Sequence, residues 1–261
     1  YSQEIYMITL DQIKELSKKY KTNESVIARE YIQLSVLKEL YSSNFSKQIY
    51  FKGGTALRLI YGGKRFSEDL DFTVLMDEAL FIEGITKIFD NLKSLYPYEI
   101  KEKETLTGKT HLLTANINGL SAPSYVRLDF SMRETVLEPT ESILKTEYPI
   151  IVQNFISTLS KNEILAEKIR AIMTRYKHRD LYDIWLLLEI GAVLDINLVN
   201  KKLAYYNESF HRDKFLSALE KFKKDDFVSD LRPFVPINER EKLDDFFDYV
   251  KSYLFKYLES S

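Results

Sequence analysis

Cysteine is absent from the chain, so neither a disulfide nor a thiolate metal site can contribute to its structure. Histidine is nearly absent too: the three present are far apart in sequence, which argues against zinc. Any bound metal must then be held by oxygen, which points to Mg2+ or Mn2+. Eight Gly and six Pro in 261 residues are few for an all-β or loop-rich protein, so long helical stretches are expected. No run of about 18 apolar residues occurs, and the beginning lacks the basic–apolar–small layout of a signal peptide. The expected setting is cytoplasmic, with no membrane partner. A strong charge of either sign is also missing. With a formal net charge of −2, the molecule as a whole is no electrostatic nucleic-acid binder. Such a partner would need a local basic patch.

What is present is ordinary globular composition, 45% hydrophobic and 29% charged. Helical spacing runs from about Leu10 to Ser42, broken at Thr22-Asn23, with Asn23 placed to cap the second helix. Strands are expected at 49–51, 70–75, 99–105, 110–117 and 125–131, and helices at 55–61 and 78–95. From Lys161 onward the pattern is helical almost to the end. The expected fold class is α+β. It comprises a helical N-terminal arm (1–47), a small α/β core (48–150) and a helical C-terminal half (151–261).

The strongest chemical feature is Ser67-Glu68-Asp69-Leu70-Asp71-Phe72. In a strand, residues two apart point to one side, so Asp69 and Asp71 project together while Leu70 and Phe72 face the core. Two adjacent carboxylates repel, and a divalent cation relieves that conflict. Alone, such a pair is better explained by a solvated edge strand, and the upstream sequence reverses that weighting. Upstream, Gly53-Gly54 follows one expected strand and opens an expected helix, where backbone N–H groups can approach a phosphate and Thr55 can add a hydroxyl. In Tyr125 to Phe130, Arg127 and Asp129 share the polar face, making Asp129 a third carboxylate. It could serve as second-metal ligand or base, or simply as the partner of a surface cation.

Four blocks in order carry a family resemblance: Lys52-Gly53-Gly54-Thr55-Ala56-Leu57, then Arg65 to Phe72, then Glu163 to Ala171, then Arg179-Asp180-Leu181-Tyr182-Asp183. Together they resemble the AbiEii family of nucleotidyltransferase toxins, which includes the MenT toxins, within the wider polymerase-beta-like superfamily. The resemblance implies a polymerase-beta-like core and a metal-dependent nucleotidyltransferase. Asp69, Asp71 and Asp129 would be its metal and catalytic carboxylates, and Gly53, Gly54, Thr55 and Ser67 would line the nucleotide. Lys168 would reach the nucleotide phosphates, and Asp180 and Asp183 would belong to the same centre. It further implies a nucleoside triphosphate donor, the 3′ end of tRNA as acceptor, a role in toxin–antitoxin or phage-defence systems, and a separately encoded antitoxin.

Read from the residues alone, these last positions have plainer explanations. Lys168 falls at the border of an apolar helix face, where a lysine usually reaches for solvent. Asp180 and Asp183 fit a helix start, one as cap and one in the first turn. Residues 161–179 hold six Lys or Arg against two Glu, the best local basic patch, and Arg58, Lys64 and Arg65 lie near the glycine turn. Two other readings of the whole chain stay open: a nucleotide-binding module without catalysis, and transfer onto a protein side chain.

Overall fold

The computed structural model describes residues 7–103 and 108–260, and the chain divides into two compact units. One comprises Tyr1–Gly62 and Phe66–Thr158, the other Gly63–Arg65 and Leu159–Ser261.

The first unit opens with α1 (Leu10–Tyr20), started by a capping box in which Thr9 and Gln12 satisfy each other's backbone N–H. It ends at Lys21 in the left-handed region (φ 51°). Helix α2 (Glu24–Tyr41) follows with Asn23 at its cap position, although the Asn23 side chain makes no capping bond. Ile27, Tyr31, Ile32, Leu34, Val36 and Leu37 bury nearly every side of α2, so it runs through the core. The remaining elements are β1 (Ile49–Lys52), α3 (Gly53–Leu59), β2 (Asp69–Val74), α4 (Glu78–Leu95), β3 (Tyr98–Lys103), β4 (Lys109–Ala115), β5 (Ser124–Ser131), β6 (Pro139–Ser142) and β7 (Ile156–Leu159). The last two positions of the strand expected over 99–105 lie outside the described residues.

Among the described residues the strands form one mixed sheet of seven, in the order β3-β4-β5-β2-β1-β7-β6. Strand β2 runs parallel to β5 and antiparallel to β1, and β1 is parallel to β7. Alternation decides which face is dry. Leu70 and Phe72 of β2 and Val126, Leu128 and Phe130 of β5 are buried, while Asp69, Asp71, Arg127 and Asp129 stand on the other side. Phe72 stacks on Phe130 at 5.0 Å, and Phe81 of α4 closes on Phe130 at 5.0 Å. Each such ring contributes about 1.5–3 kcal/mol by burial. That packing fixes the register, and the register places the carboxylates.

The second unit is helical: α5 (Lys161–Thr174), α6 (Arg179–Glu189), α7 (Ile196–Ala204), α8 (Arg212–Glu220), α9 (Lys224–Leu231) and α10 (Leu243–Ser260). Helix α5 is central, packing on α6, α7 and α8. Fully buried Lys202 of α7 joins Glu163 at 2.5 Å and Glu167 at 3.1 Å on α5. The fold class is the α+β arrangement expected from the sequence.

Candidate active site

In the first unit a polar row crosses the sheet. Lys52 of β1 pairs with Asp71 of β2, Asp71 with Asp129 of β5, and Asp129 with Thr110 of β4. Residues directly opposite one another in neighbouring strands point to the same face. Asp69, two residues along β2, joins that face opposite Arg127. The expectation that Asp69, Asp71 and Asp129 are brought together on one side thus holds in the backbone register. Their surroundings were not foreseen. Arg127 Nη2 lies 2.8 Å from Asp69 Oδ2 and Arg127 Nε lies 2.8 Å from Asp129 Oδ2. Thr110 Oγ1 donates to Asp129 Oδ1 at 2.6 Å, and Lys52 Nζ reaches Glu134 at 3.3 Å. Burial would lower the pKa of Arg127, but Asp69, Asp129 and Asp71 outweigh it and hold the guanidinium above its ordinary value.

The glycine turn is built around Asp71. Gly53 begins α3 with φ +76°, a region that L side chains resist, and a Cβ there would run into the Asp71 carboxylate. Gly54, buried, continues the turn. Thr55 departs from expectation. It is fully buried and its hydroxyl donates to the Asp69 carbonyl, so the side chain locks α3 to the start of β2 rather than facing a ligand. Ser67 lies half-buried just before β2, its carbonyl held by Gln33 Nε2 at 3.1 Å. Arg58 is also engaged elsewhere, joined to Glu30 at 2.9 Å and set 3.9 Å over the Phe66 ring.

Three carboxylates on one sheet face are the hard-oxygen donor set that a divalent cation prefers, and the missing Cβ at Gly53 leaves room for Asp71. The chemistry of these donors suits a divalent metal. Among the described residues no three ligating side chains already converge on one point. The Arg127 guanidinium stands between Asp69 and Asp129 as a built-in counter-cation.

The second unit holds a separate cluster. Lys168 Nζ lies 2.7 Å from Asp180 Oδ1 and 2.6 Å from Asp183 Oδ2. Arg65 grips Asp183 through Nε at 3.0 Å and Nη2 at 2.8 Å. Burial would lower the Lys168 pKa and raise that of Asp183. The opposite charges prevail: Asp180 and Asp183 hold Lys168 above its usual value, and Arg65 and Lys168 hold Asp183 below the usual carboxylate range.

These contacts correct three readings. Neither aspartate caps α6, because His178 occupies the cap position and both side chains turn inward to cations. Asp183 is fully buried and Asp180 nearly so, and both carboxylates are turned to Lys168. Lys168 does not reach into solvent, since its side chain is only 12% exposed. The basic run 161–179 is no open phosphate track: Lys161 donates to the Ile190 carbonyl, Arg170 covers the Tyr206 ring and Arg179 pairs with Asp230.

A family profile described as "Nucleotidyl transferase AbiEii toxin, Type IV TA system" matches residues 35–250. No curated protein sequence is a significant match. Among solved structures the chain resembles MenT4, a nucleotidyltransferase toxin from Mycobacterium tuberculosis. The TM-score is 0.63 at 18% identity, with 94% of this chain and 90% of that one covered. It also resembles JHP933 from Helicobacter pylori, with TM-score 0.54, 22% identity and coverage of 92% and 95%. A third match is a putative nucleotidyltransferase from H. pylori, with TM-score 0.54, 21% identity and coverage of 91% and 98%. At these identities the structures establish likeness of fold.

Proposed function

The chain belongs to the AbiEii family of nucleotidyltransferase toxins, and from that premise we propose that it transfers a nucleoside monophosphate from a nucleoside triphosphate to the 3′ end of tRNA, with Mg2+ or Mn2+ as cofactor. Family membership makes the protein an enzyme of the nucleotidyltransferase class and the toxin of a toxin–antitoxin pair, with an antitoxin as partner. The acceptor, the metal, a phage-defence role and a cytoplasmic setting, where triphosphates and tRNA are found, are our assignments.

One observation carries the mechanism: Asp69, Asp71 and Asp129 share one sheet face, set beside a turn that only glycine can make. Asp69, Asp71 and Asp129 would hold the metal, which supplies charge neutralisation on the phosphates and a more acidic attacking hydroxyl. Asp129 accepts the proton of that hydroxyl as its oxygen bonds to the α-phosphorus and pyrophosphate departs. Arg127 orients Asp69 and Asp129. The Gly53 and Gly54 backbone is assigned to the triphosphate. Within the second unit, Asp180 and Asp183 hold Lys168 in place.

The test is incubation of the pure protein with total RNA, magnesium and each α-labelled nucleoside triphosphate in turn. Label in a tRNA-sized band supports the reading, and label in a protein band instead would move the acceptor to a protein. In the same assay Gly53→Ala is expected to lose about tenfold to a hundredfold in transfer, since its Cβ displaces Asp71. Stability should fall by only about 1–2 kcal/mol, the cost of a Cβ at positive φ. Wild-type transfer by this variant, with an unchanged melting curve, would show that the turn does not position Asp71.

A further inference from the structure

A cavity of about 410 Å³ opens on the second unit between the end of α5 and helix α8, lined in part by Met173, Tyr176, Asp213, Lys214, Ser217 and Lys221. Its chemistry is mixed in a particular way. Tyr176 is a large ring left 52% exposed, and Lys221 Nζ sits 5.5 Å from the ring centroid and 3.1 Å from its hydroxyl. Phe222 backs the same ring at 5.9 Å. An exposed tyrosine supported from behind and flanked by the Lys221 ammonium offers a stacking surface next to positive charge. Single-stranded nucleic acid is the polymer that presents a π face and a negative charge at every repeat. Glu208 and Asp213 also line the cavity, so it is no simple anion site. A carboxylate can accept from the exocyclic amino group of a base, leaving the base's phosphate to the lysines.

The Lys168 cluster belongs to the same unit. The residue before Tyr176 is Arg175, itself exposed, whose Nη2 lies 3.7 Å from Asp180 Oδ2. That oxygen is buried and accepts no hydrogen bond from the described residues. Asp180 Oδ1 in turn holds Lys168 at 2.7 Å.

We propose that this cavity is a docking site for a single-stranded segment of the acceptor RNA, with one base stacked on Tyr176 and its phosphate held by Lys214 and Lys221. The proposal rests on the reading that RNA is the acceptor, and it places one part of that RNA at named residues.

The test uses the full chain and a fluorescent single-stranded RNA of mixed sequence, about ten nucleotides long, which is within the usual site size. Anisotropy is read with chelator and without any triphosphate, so that binding is separated from catalysis. The wild type is expected to bind the single strand more tightly than the matching duplex. Tyr176→Ala should weaken binding about tenfold and Tyr176→Phe should restore it. Lys221→Gln should reduce the slope of log affinity against log salt by about one. In the transfer assay Tyr176→Ala should raise KM for RNA and leave KM for the triphosphate unchanged. Tyr176→Ala binding RNA as the wild type does, or duplex binding as tightly as single strand, overturns the proposal. If wild type still labels RNA in that case, the acceptor reading survives and only this site is lost. A wild type that neither binds nor labels RNA removes both.

Discussion

Asp71→Asn should lower nucleotide transfer by roughly a thousandfold or more while the melting temperature stays within a degree or two of wild type. Asp71 sits at the centre of the row from Lys52 to Thr110, with Gly53 on one side and Asp129 opposite. Losing its charge removes several kcal/mol of stabilisation at the transferred phosphate, and each 1.4 kcal/mol is about tenfold in rate. The neutral amide has the same shape, and the carboxylate repulsion it relieves on that face offsets the attraction to Arg127 that it gives up, so the fold should weaken little. Measuring label transfer beside a thermal melt separates the two quantities. Substantial transfer by Asp71→Asn would sink the carboxylate assignment, and an unfolded variant would mean that the residue is structural.

Asp183→Ala is expected to do the reverse and strike stability first, by about 3–5 kcal/mol. Arg65, 5% exposed, and Lys168 would be left buried with their shared counter-charge gone. The diagnostic variant is the pair Arg65→Leu with Asp183→Leu, which removes both charges and should recover more than half of the loss in denaturant unfolding. No recovery would mean that shape rather than charge is at stake. The same group gives a pH dependence. Its folded pKa is depressed, so its contribution is present above the unfolded value of about 3.9 and is lost as pH falls through the lower folded value. Lys168, raised in the fold, contributes fully below about 10.4 and loses that contribution as pH rises through its folded value. In the alanine variant the acid limb of the melting profile should flatten.

The face carrying Asp69, Asp71 and Asp129 was legible because strand alternation is a local property: one misplaced residue would have put Phe72 and Phe130 into water. The glycine turn was legible for a similar reason, since a left-handed residue before a helix leaves few choices of side chain. Strands β6 and β7 were not foreseen. Pro139–Ser142 is a short edge strand with no apolar residue to mark an inner face, and Ile156–Leu159 is buried at all four positions, so neither carries the apolar–polar alternation that marks a strand. Asp180 and Asp183 were misread because an acid near a helix start looks the same whether it caps the helix or meets a distant cation. The cation that settles the matter, Arg65, lies 118 residues away from Asp183. Arg127 was placed correctly on the polar face, but its partnership with two carboxylates depends on the parallel pairing of β2 with β5, which no single strand announces.

That partnership bears on how the molecule matures. A pocket of bare acids would make completion of the sheet wait for an ion from the surroundings. Here the chain brings its own positive group, on the neighbouring strand and in register, so β2 and β5 can zip together as soon as they are synthesised. Closure of that face thus draws on a charge the chain itself carries.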